Sequence, residues 1–487
     1  MTFAFDPSTI SLPNGHYIGG RYVDAPKELA VHTPSDGRLL TDIPCGDQET
    51  VNQAVNAAKT ALRESGWATV TPRERVKALH AWADLIEAEA NTLAQLEAIC
   101  SSRPVGQARV GDVGITATQI RFFAEFADKE CGALAPTSGD QLGFISHEPY
   151  GVVGAITPWN YPISMAGWKL GPALAAGNAV VLKPSEMTPF STLYLAELAE
   201  RAGLPKGLIN IVLGNGPETG AAITGHPDIA KVSFTGSTRA GSAIMENIAQ
   251  SGIKPMTLEL GGKSPQIVFA DADLDKAADC IARGILPNAG QTCVAGTRVL
   301  VHHSLADALA AKLVTAFDAQ KPAATWDDPA GFSPIISAGQ MRRIDSIVQA
   351  SIAAGADCLT GGQAFERPGS YYQPTLLSGV TEENPAVKEE IFGPVATFQT
   401  FDSDDEAIAL ANHPTYGLCA GVYTQDLSRA VRVTRALETG TVWVNRYGRS
   451  YDHILPTGGW KSSGIGKDLG REAFLANQRS KSVLIDL

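Results

Sequence analysis

Gly151-Val152-Val153-Gly154-Ala155-Ile156-Thr157 opens the series of short β-branched runs that decides the fold. Asn178 to Lys183 (NAVVLK), Ile209 to Gly214 (INIVLG) and Lys231 to Gly236 (KVSFTG) follow, each ended by Gly, Pro or a polar turn, with helical spacing between them. Four such runs within about 90 residues predict parallel strands joined by crossover helices, which is the α/β class. Sheets of this kind bind ligands at the carboxyl ends of their strands. The polar motifs of this chain come directly after those runs, so they are expected on the ligand edge.

Upstream, residues 16 to 26 (HYIGGRYVDAP) alternate like a hairpin around a Gly-Gly turn. Glu49 to Trp67 and Thr71 to Cys100 carry the apolar spacing of helices. The second of these starts on a capping box, Thr71-Pro72-Arg73-Glu74, with Pro at the first helical position. A third helical stretch, about Val105 to Lys129, breaks into a Gly- and Pro-containing excursion over 131 to 148. Downstream of Gln266 a second α/β series has strands near IVFA, RVLVHH, VATFQ, AGVYT and TVWVN, and it reads as a second domain. The tail includes SKSVLIDL, a strand that a lone chain leaves with an unpaired edge. With the excursion, it is the expected contact between subunits.

Composition narrows the function. A chain of 487 residues exceeds what one hydrophobic core organises, so more than one domain is expected. The apolar share of 44% and charged share of 18% suit a compact enzyme rather than a disordered chain. A formal net charge of -12 with no basic stripe argues against a nucleic-acid partner. No run approaches the length of a membrane span, and the N-terminus has neither the basic nor the apolar region of a signal peptide, so no membrane and a cytoplasmic location are expected. The seven cysteines, 45, 100, 131, 280, 293, 358 and 419, form no CxxC pair, which points to neither a metal site nor a disulfide framework.

One cysteine has chemical company. Cys293 stands among small residues in Ala289-Gly290-Gln291-Thr292-Cys293-Val294-Ala295-Gly296, and Glu259 of Glu259-Leu260-Gly261-Gly262-Lys263-Ser264 precedes it by 34 residues. A thiol and a carboxylate flanked by glycines suit a nucleophile and its base, although an isolated cysteine more often packs as a small hydrophobe. Asn160, in Pro158-Trp159-Asn160-Tyr161-Pro162, ends the first strand where an amide stabilises an oxyanion or simply makes a turn. Lys183-Pro184-Ser185-Glu186 closes NAVVLK with a cation and a carboxylate; Glu186 suits ribose hydroxyls and repels a 2′-phosphate, which favours NAD over NADP. Gly214 to Gly220 has the spacing GxGxxxG with an internal Pro, a poor dinucleotide fingerprint. Phe234-Thr235-Gly236-Ser237-Thr238 is the better phosphate candidate, a strand running into a helix N-terminus.

Taken together PWNYP, KPSE, FTGST, ELGGKS, GQTC, EEIFGP and GGWKSSGIGKDLG occur in the order shown by the aldehyde dehydrogenase superfamily, and the chain resembles that family over nearly its whole length. The resemblance implies a modified Rossmann-type dinucleotide-binding domain (1–126 and 149–258), an α/β catalytic domain (259–460), and a small β oligomerisation element (127–148 and 461–487). It implies a homo-oligomer, dimer or tetramer, with the homotetramer favoured. It implies Cys293 as nucleophile, Glu259 as general base and Asn160 as oxyanion donor. It gives the cofactor Trp159, Lys183, Glu186, Gly216, Phe234, Gly236, Ser237, Glu390 and Phe392. Lys169 matches a family position of open role.

The implied reaction is NAD-dependent oxidation of an aldehyde to its acid through a Cys-linked thiohemiacetal and thioester, with NADP use possible. A coenzyme A-acylating enzyme and a catalytically silent homologue are the alternatives; Glu259 argues against the first and the intact trio against the second. The implied substrate tunnel contains Tyr161, Met165, Trp168, Thr292, Val294 and Tyr451, which suits an apolar or aromatic aldehyde. Pro456-Thr457-Gly458-Gly459 has Thr where many relatives have Phe, which implies a wider or more polar mouth near Asp452 and His453. Asp112 matches one of two acids that bind the amine of aminoaldehydes, but the second position is Ile115.

Overall fold

The structure is a computed structural model that describes residues 3 to 448 and 453 to 487. The β-branched runs become β1 (Val152–Ile156), β2 (Ala179–Lys183), β3 (Ile209–Ile211) and β4 (Lys231–Thr235), joined by β5 (Met256–Glu259). These five pair in parallel in the order β3-β2-β1-β4-β5. That is the doubly wound order of a dinucleotide-binding sheet, whose switch point lies between β1 and β4. Strands β1, β2 and β4 are buried along their whole length, as a sheet covered on both faces requires. The sixth parallel strand of that order is replaced by Gly464–Ile465, which runs antiparallel to β5 and comes from the C-terminal tail. At the other edge sits the N-terminal hairpin, His16–Ile18 with Arg21–Val23. Its turn residues Gly19 and Gly20 have φ of 61° and 82°, the left-handed pair that a two-residue hairpin needs.

The second sheet contains β6 (Pro265–Val268), β7 (Arg298–His302), β8 (Thr375–Ser378), β9 (Val395–Phe401), β10 (Cys419–Tyr423) and β11 (Thr441–Val444). Their order is β8-β9-β7-β6-β10-β11, all parallel, with Asp357–Thr360 antiparallel on the β8 edge. The excursion is the hairpin Ala133–Ala135 and Gln141–Pro149, and the tail strand Gln478–Asp486 pairs with its second arm over nine consecutive positions. Leu134, Leu142, Ile145, Leu484 and Ile485 stay exposed on this small sheet.

Two helical expectations need correction. The stretch from Thr71 to Cys100 is two helices, Pro72–Ala88 and Ala90–Cys100. The capping box at Thr71 forms as expected, but Glu89 leaves the helical conformation and its carboxylate pairs with Arg201 at 2.9 Å. The stretch from 105 to 129 begins with a short turn, widens into a π-helical segment over Ala108–Val113, and ends at Ala124. A π segment is uncommon and tends to mark a functional position; here it turns Asp112 into the protein interior.

Candidate active site

The carboxyl ends of the first sheet supply half of the site. Glu259 is the last residue of β5, Lys183 the last of β2, and Asn160 lies four residues past β1. Cys293 does not follow that rule. It lies in the loop entering β7, at the amino end of the second sheet, and Glu390 and Phe392 likewise precede β9. The site therefore forms where the carboxyl edge of one sheet meets the amino edge of the other.

The Cys293 loop is shaped by an unusual backbone. Asn288, Ala289 and Gly290 have φ of 53°, 51° and 71°, three left-handed residues in succession, and such strain is held only where surroundings over-determine it. The surroundings are visible. The buried Gln291 side chain donates to Asn288 O at 2.8 Å and Pro334 O at 3.0 Å, and accepts from Ile336 N at 2.9 Å. A side chain on Gly290 would overlap the Gly393 carbonyl, so the two loops meet backbone to backbone. Cys293, Thr292 and Val294 stay half-buried and reachable.

Asn160 joins the halves. It is buried, its Nδ2 donates to Gln291 O at 3.0 Å, and its carbonyl accepts from Asn288 Nδ2 at 3.0 Å. One of its two amide hydrogens is thus committed to the Cys293 loop. The turn after Glu259 makes the second junction. Gly262 N donates to Glu390 Oε1 at 3.0 Å, while a Cβ on Gly262 would come within 2.8 Å of the Cys293 carbonyl. Burial raises the Glu390 pKa, and the Gly262 amide and Lys263 work against that rise. Gly458 packs so closely that a Cβ there would lie 3.0 Å from Glu259 Oε1.

The expected cofactor residues suit a dinucleotide. Lys183 Nζ donates to Gly214 O at 2.7 Å and Pro184 O at 2.9 Å and pairs with Glu186 Oε2 at 3.3 Å. Burial lowers its pKa, which Glu186 opposes. Glu186 keeps an exposed carboxylate at the mouth, and Gly216 is exposed at the start of the turn after β3. Ser237 caps the helix Thr238–Ser251 by accepting from Ala240 N at 3.2 Å, so its hydroxyl hydrogen remains for a phosphate oxygen. Phe234 is buried with Ile156, Leu258 and Leu260, and a Cβ on Gly236 would overlap its ring. Trp159 and Phe392 meet edge to face at 5.2 Å between centroids.

The tunnel residues are distributed unevenly. Tyr161 is half-buried and its hydroxyl lies 3.0 Å from Thr292 Oγ1. Met165 packs on the first domain's core, in which Trp168 is buried. Tyr451 and Asp452 lie outside the described residues. His453 is buried against Phe122, and Thr457 is buried with its backbone bridged to Asp468 in both directions (2.7 and 2.8 Å). Sequence reasoning missed two features. Lys169 forms a buried ion pair with Asp468 at 2.5 Å, and Asp112 is buried against Arg103 at 2.7 Å. The Asp112 carboxylate, half of the match to a pair of amine-binding acids, is thus engaged by Arg103.

A doubly wound sheet of the dinucleotide-binding type set against a second α/β unit is the architecture of a class of dinucleotide-dependent oxidoreductases. The aldehyde dehydrogenase family pattern matches residues 22–483, and the chain belongs to that family. It is 41% identical to an aldehyde dehydrogenase of Davidiella tassiana over 98% of this chain and 96% of that one. It is also 41% identical to the mitochondrial benzaldehyde dehydrogenase of Antirrhinum majus, over 96% and 88%. Among solved structures, an aldehyde dehydrogenase of Bacillus cereus in complex with NAD+ superposes with a TM-score of 0.97 at 39% identity over the full length of both chains.

Proposed function

We propose that the protein oxidises a small to medium aldehyde to its carboxylic acid with NAD, using Cys293 as nucleophile, Asn160 as oxyanion donor and Glu259 as base. One observation supports this above the others. A single turn, Glu259 to Gly262, carries the base, donates to the acid proposed to hold the nicotinamide ribose, and packs on the nucleophile's own carbonyl.

The Cys293 thiolate adds to the aldehyde carbon and the carbonyl oxygen becomes an alkoxide. The remaining Asn160 amide hydrogen and the Cys293 backbone amide meet that charge as it develops, which is where donors accelerate a reaction. Lys183, Glu186, Ser237 and Glu390 would hold NAD, which when bound would supply the acceptor for the hydride leaving the tetrahedral carbon. Cys293 then carries an acyl thioester. Glu259 takes a proton from the water that attacks it, and the acid leaves with the thiolate restored. Retention of this carboxylate favours hydrolysis over transfer to coenzyme A.

The exposed apolar residues of the tail sheet, with its free strand edge, support assembly into a homo-oligomer through that element. Among the described residues no helix is long and apolar enough to cross a membrane; residence in the cytoplasm is part of the same reading. The test is NADH production, followed by absorbance, with aliphatic, aromatic and amino aldehydes and either NAD or NADP. NAD-dependent turnover that is abolished by Cys293→Ala, with NAD binding kept, is expected. Turnover that survives in the variant, or that needs coenzyme A, would sink the mechanism.

A further inference from the structure

Behind the reaction centre lies a buried charged group that none of the proposed catalytic steps uses. Arg103 and Asp112 form a two-point pair, with Nε 2.7 Å from Oδ2 and Nη2 3.3 Å from Oδ1, and both are buried. Glu97 lies beside them, accepting from Ile163 N at 3.3 Å and from the Ser191 hydroxyl. Burial, with Asp112 adding to it, pushes the Glu97 pKa up to about 8; burial also raises that of Asp112, which Arg103 opposes.

The cation has a second neighbour. The Arg103 guanidinium carbon stands 4.6 Å from the centroid of the Tyr161 ring, over its face. The Tyr161 hydroxyl reaches Thr292 Oγ1 at 3.0 Å, one residue from Cys293. Tyr161 is half-buried, with Arg103 over one face of its ring.

An aromatic face attracts cations because its quadrupole is negative on both sides. A guanidinium on one side draws that density toward itself and adds its own positive field across the ring. Asp112 compensates from farther away, since it is bonded to the guanidinium and not to Tyr161, so the pair is a dipole with its positive end against the ring. Among the described residues the Asp112 carboxylate is already engaged by Arg103, and we infer that Arg103 and Asp112 are specificity-determining residues that act through Tyr161 to select uncharged aldehydes over cationic ones. The inference rests on the proposed dehydrogenase reading and names its substrate class.

The test compares two aldehydes of the same shape that differ only in charge: trimethylammonioacetaldehyde and its carbon analogue 3,3-dimethylbutanal. The native enzyme should favour the neutral compound in kcat/KM by about tenfold, the scale of a desolvated cation and aromatic contact. In the double variant Arg103→Met/Asp112→Asn, which leaves no buried charge unpaired, the ratio should fall to within about threefold of unity, through a lower KM for the cation. A native enzyme that prefers the cation overturns the inference. So does a double variant that oxidises the neutral aldehyde with the native ratio intact. If no enzyme makes NADH from any aldehyde, the dehydrogenase reading falls and takes the inference with it.

Discussion

Replacing Gly261 with Ala should weaken NAD use while leaving the chemical step nearly intact. A Cβ at this position would lie 2.7 Å from Glu390 Cδ and 2.9 Å from Oε1, closer than real Cβ atoms come to a carboxylate. The backbone has no room to yield, since Leu260 N is tied to Ser463 O at 3.0 Å and Gly262 is wedged against Cys293. The Glu390 side chain must therefore rotate away and lose the 3.0 Å bond from Gly262 N. A hydrogen bond to a charged group contributes about 1.5–3 kcal/mol, so displacing the proposed ribose acceptor should raise the KM for NAD by roughly ten- to a hundredfold. Because ground and transition states hold the ribose alike, kcat should change by less than about threefold. Initial rates over a range of NAD concentrations, with NAD affinity from fluorescence quenching, measure both quantities. Glu390→Ala supplies the decisive comparison: if Gly261→Ala acts by displacing Glu390, the double variant should be no worse than the poorer single one. An unchanged KM in a folded Gly261→Ala protein, or additive losses in the double variant, would refute the reasoning.

Three further outcomes are expected. Glu259→Gln should give one burst of NADH per active site in rapid mixing and then stall; an unaffected steady state would mean that another base deprotonates the water. Asn160→Ala should lower kcat by about a hundred- to a thousandfold with little change in NAD affinity, the usual loss when one oxyanion donor is removed; a kcat within tenfold of native would remove Asn160 from that role. His16 is buried with its pKa lowered to about 4, chiefly by loss of solvent, from an ordinary value of 6.5. The folded protein keeps it neutral while the unfolded chain takes up a proton below about pH 6.5, so its stabilising contribution is full above that pH and is lost as pH falls toward 4. Between pH 7.5 and 5 the loss is about 2 kcal/mol, and His16→Gln should flatten the pH dependence of urea unfolding by that amount. Parallel pH profiles for the two proteins would contradict the assignment.

The first sheet was legible because each of its strands is a short apolar run with a polar or Gly stop, and Ala179–Lys183 and Lys231–Thr235 fall within one residue of the runs NAVVLK and KVSFTG. Strand order was not legible. Rhythm gives alternation, while the order β3-β2-β1-β4-β5 and its closure by Gly464–Ile465 depend on contacts across about two hundred residues of chain. In the second sheet Thr375–Ser378 and Asp357–Thr360 went unseen, four residues each with no periodicity to separate them from loop. The chemical residues were named one by one from their motifs, but not how they meet. Asn288-Ala289-Gly290 held a partial signal, since Asn and Gly tolerate the left-handed region and Ala does not. Arg103 and Asp112 held none, because only the π segment between them brings residues nine apart into a two-point pair.

Neither sheet contains the proposed site alone, and the contacts that join them explain why the fold tolerates strain beside Cys293. Glu259 is fixed at the end of a strand buried on both faces, whereas Cys293 is delivered by a loop with three left-handed residues. Each such residue other than Gly costs on the order of 1 kcal/mol. The cost is met by the bond from the Gln291 amide to Pro334 within the second unit, and by two that exist only when the two sheets are in register: Asn160 Nδ2 to Gln291 O and Asn288 Nδ2 to Asn160 O. A shift of one sheet edge against the other would break the latter two together and take the oxyanion donor away from the thiol in the same movement. Domain register and catalytic geometry are therefore one property here, and the same few buried amides hold both.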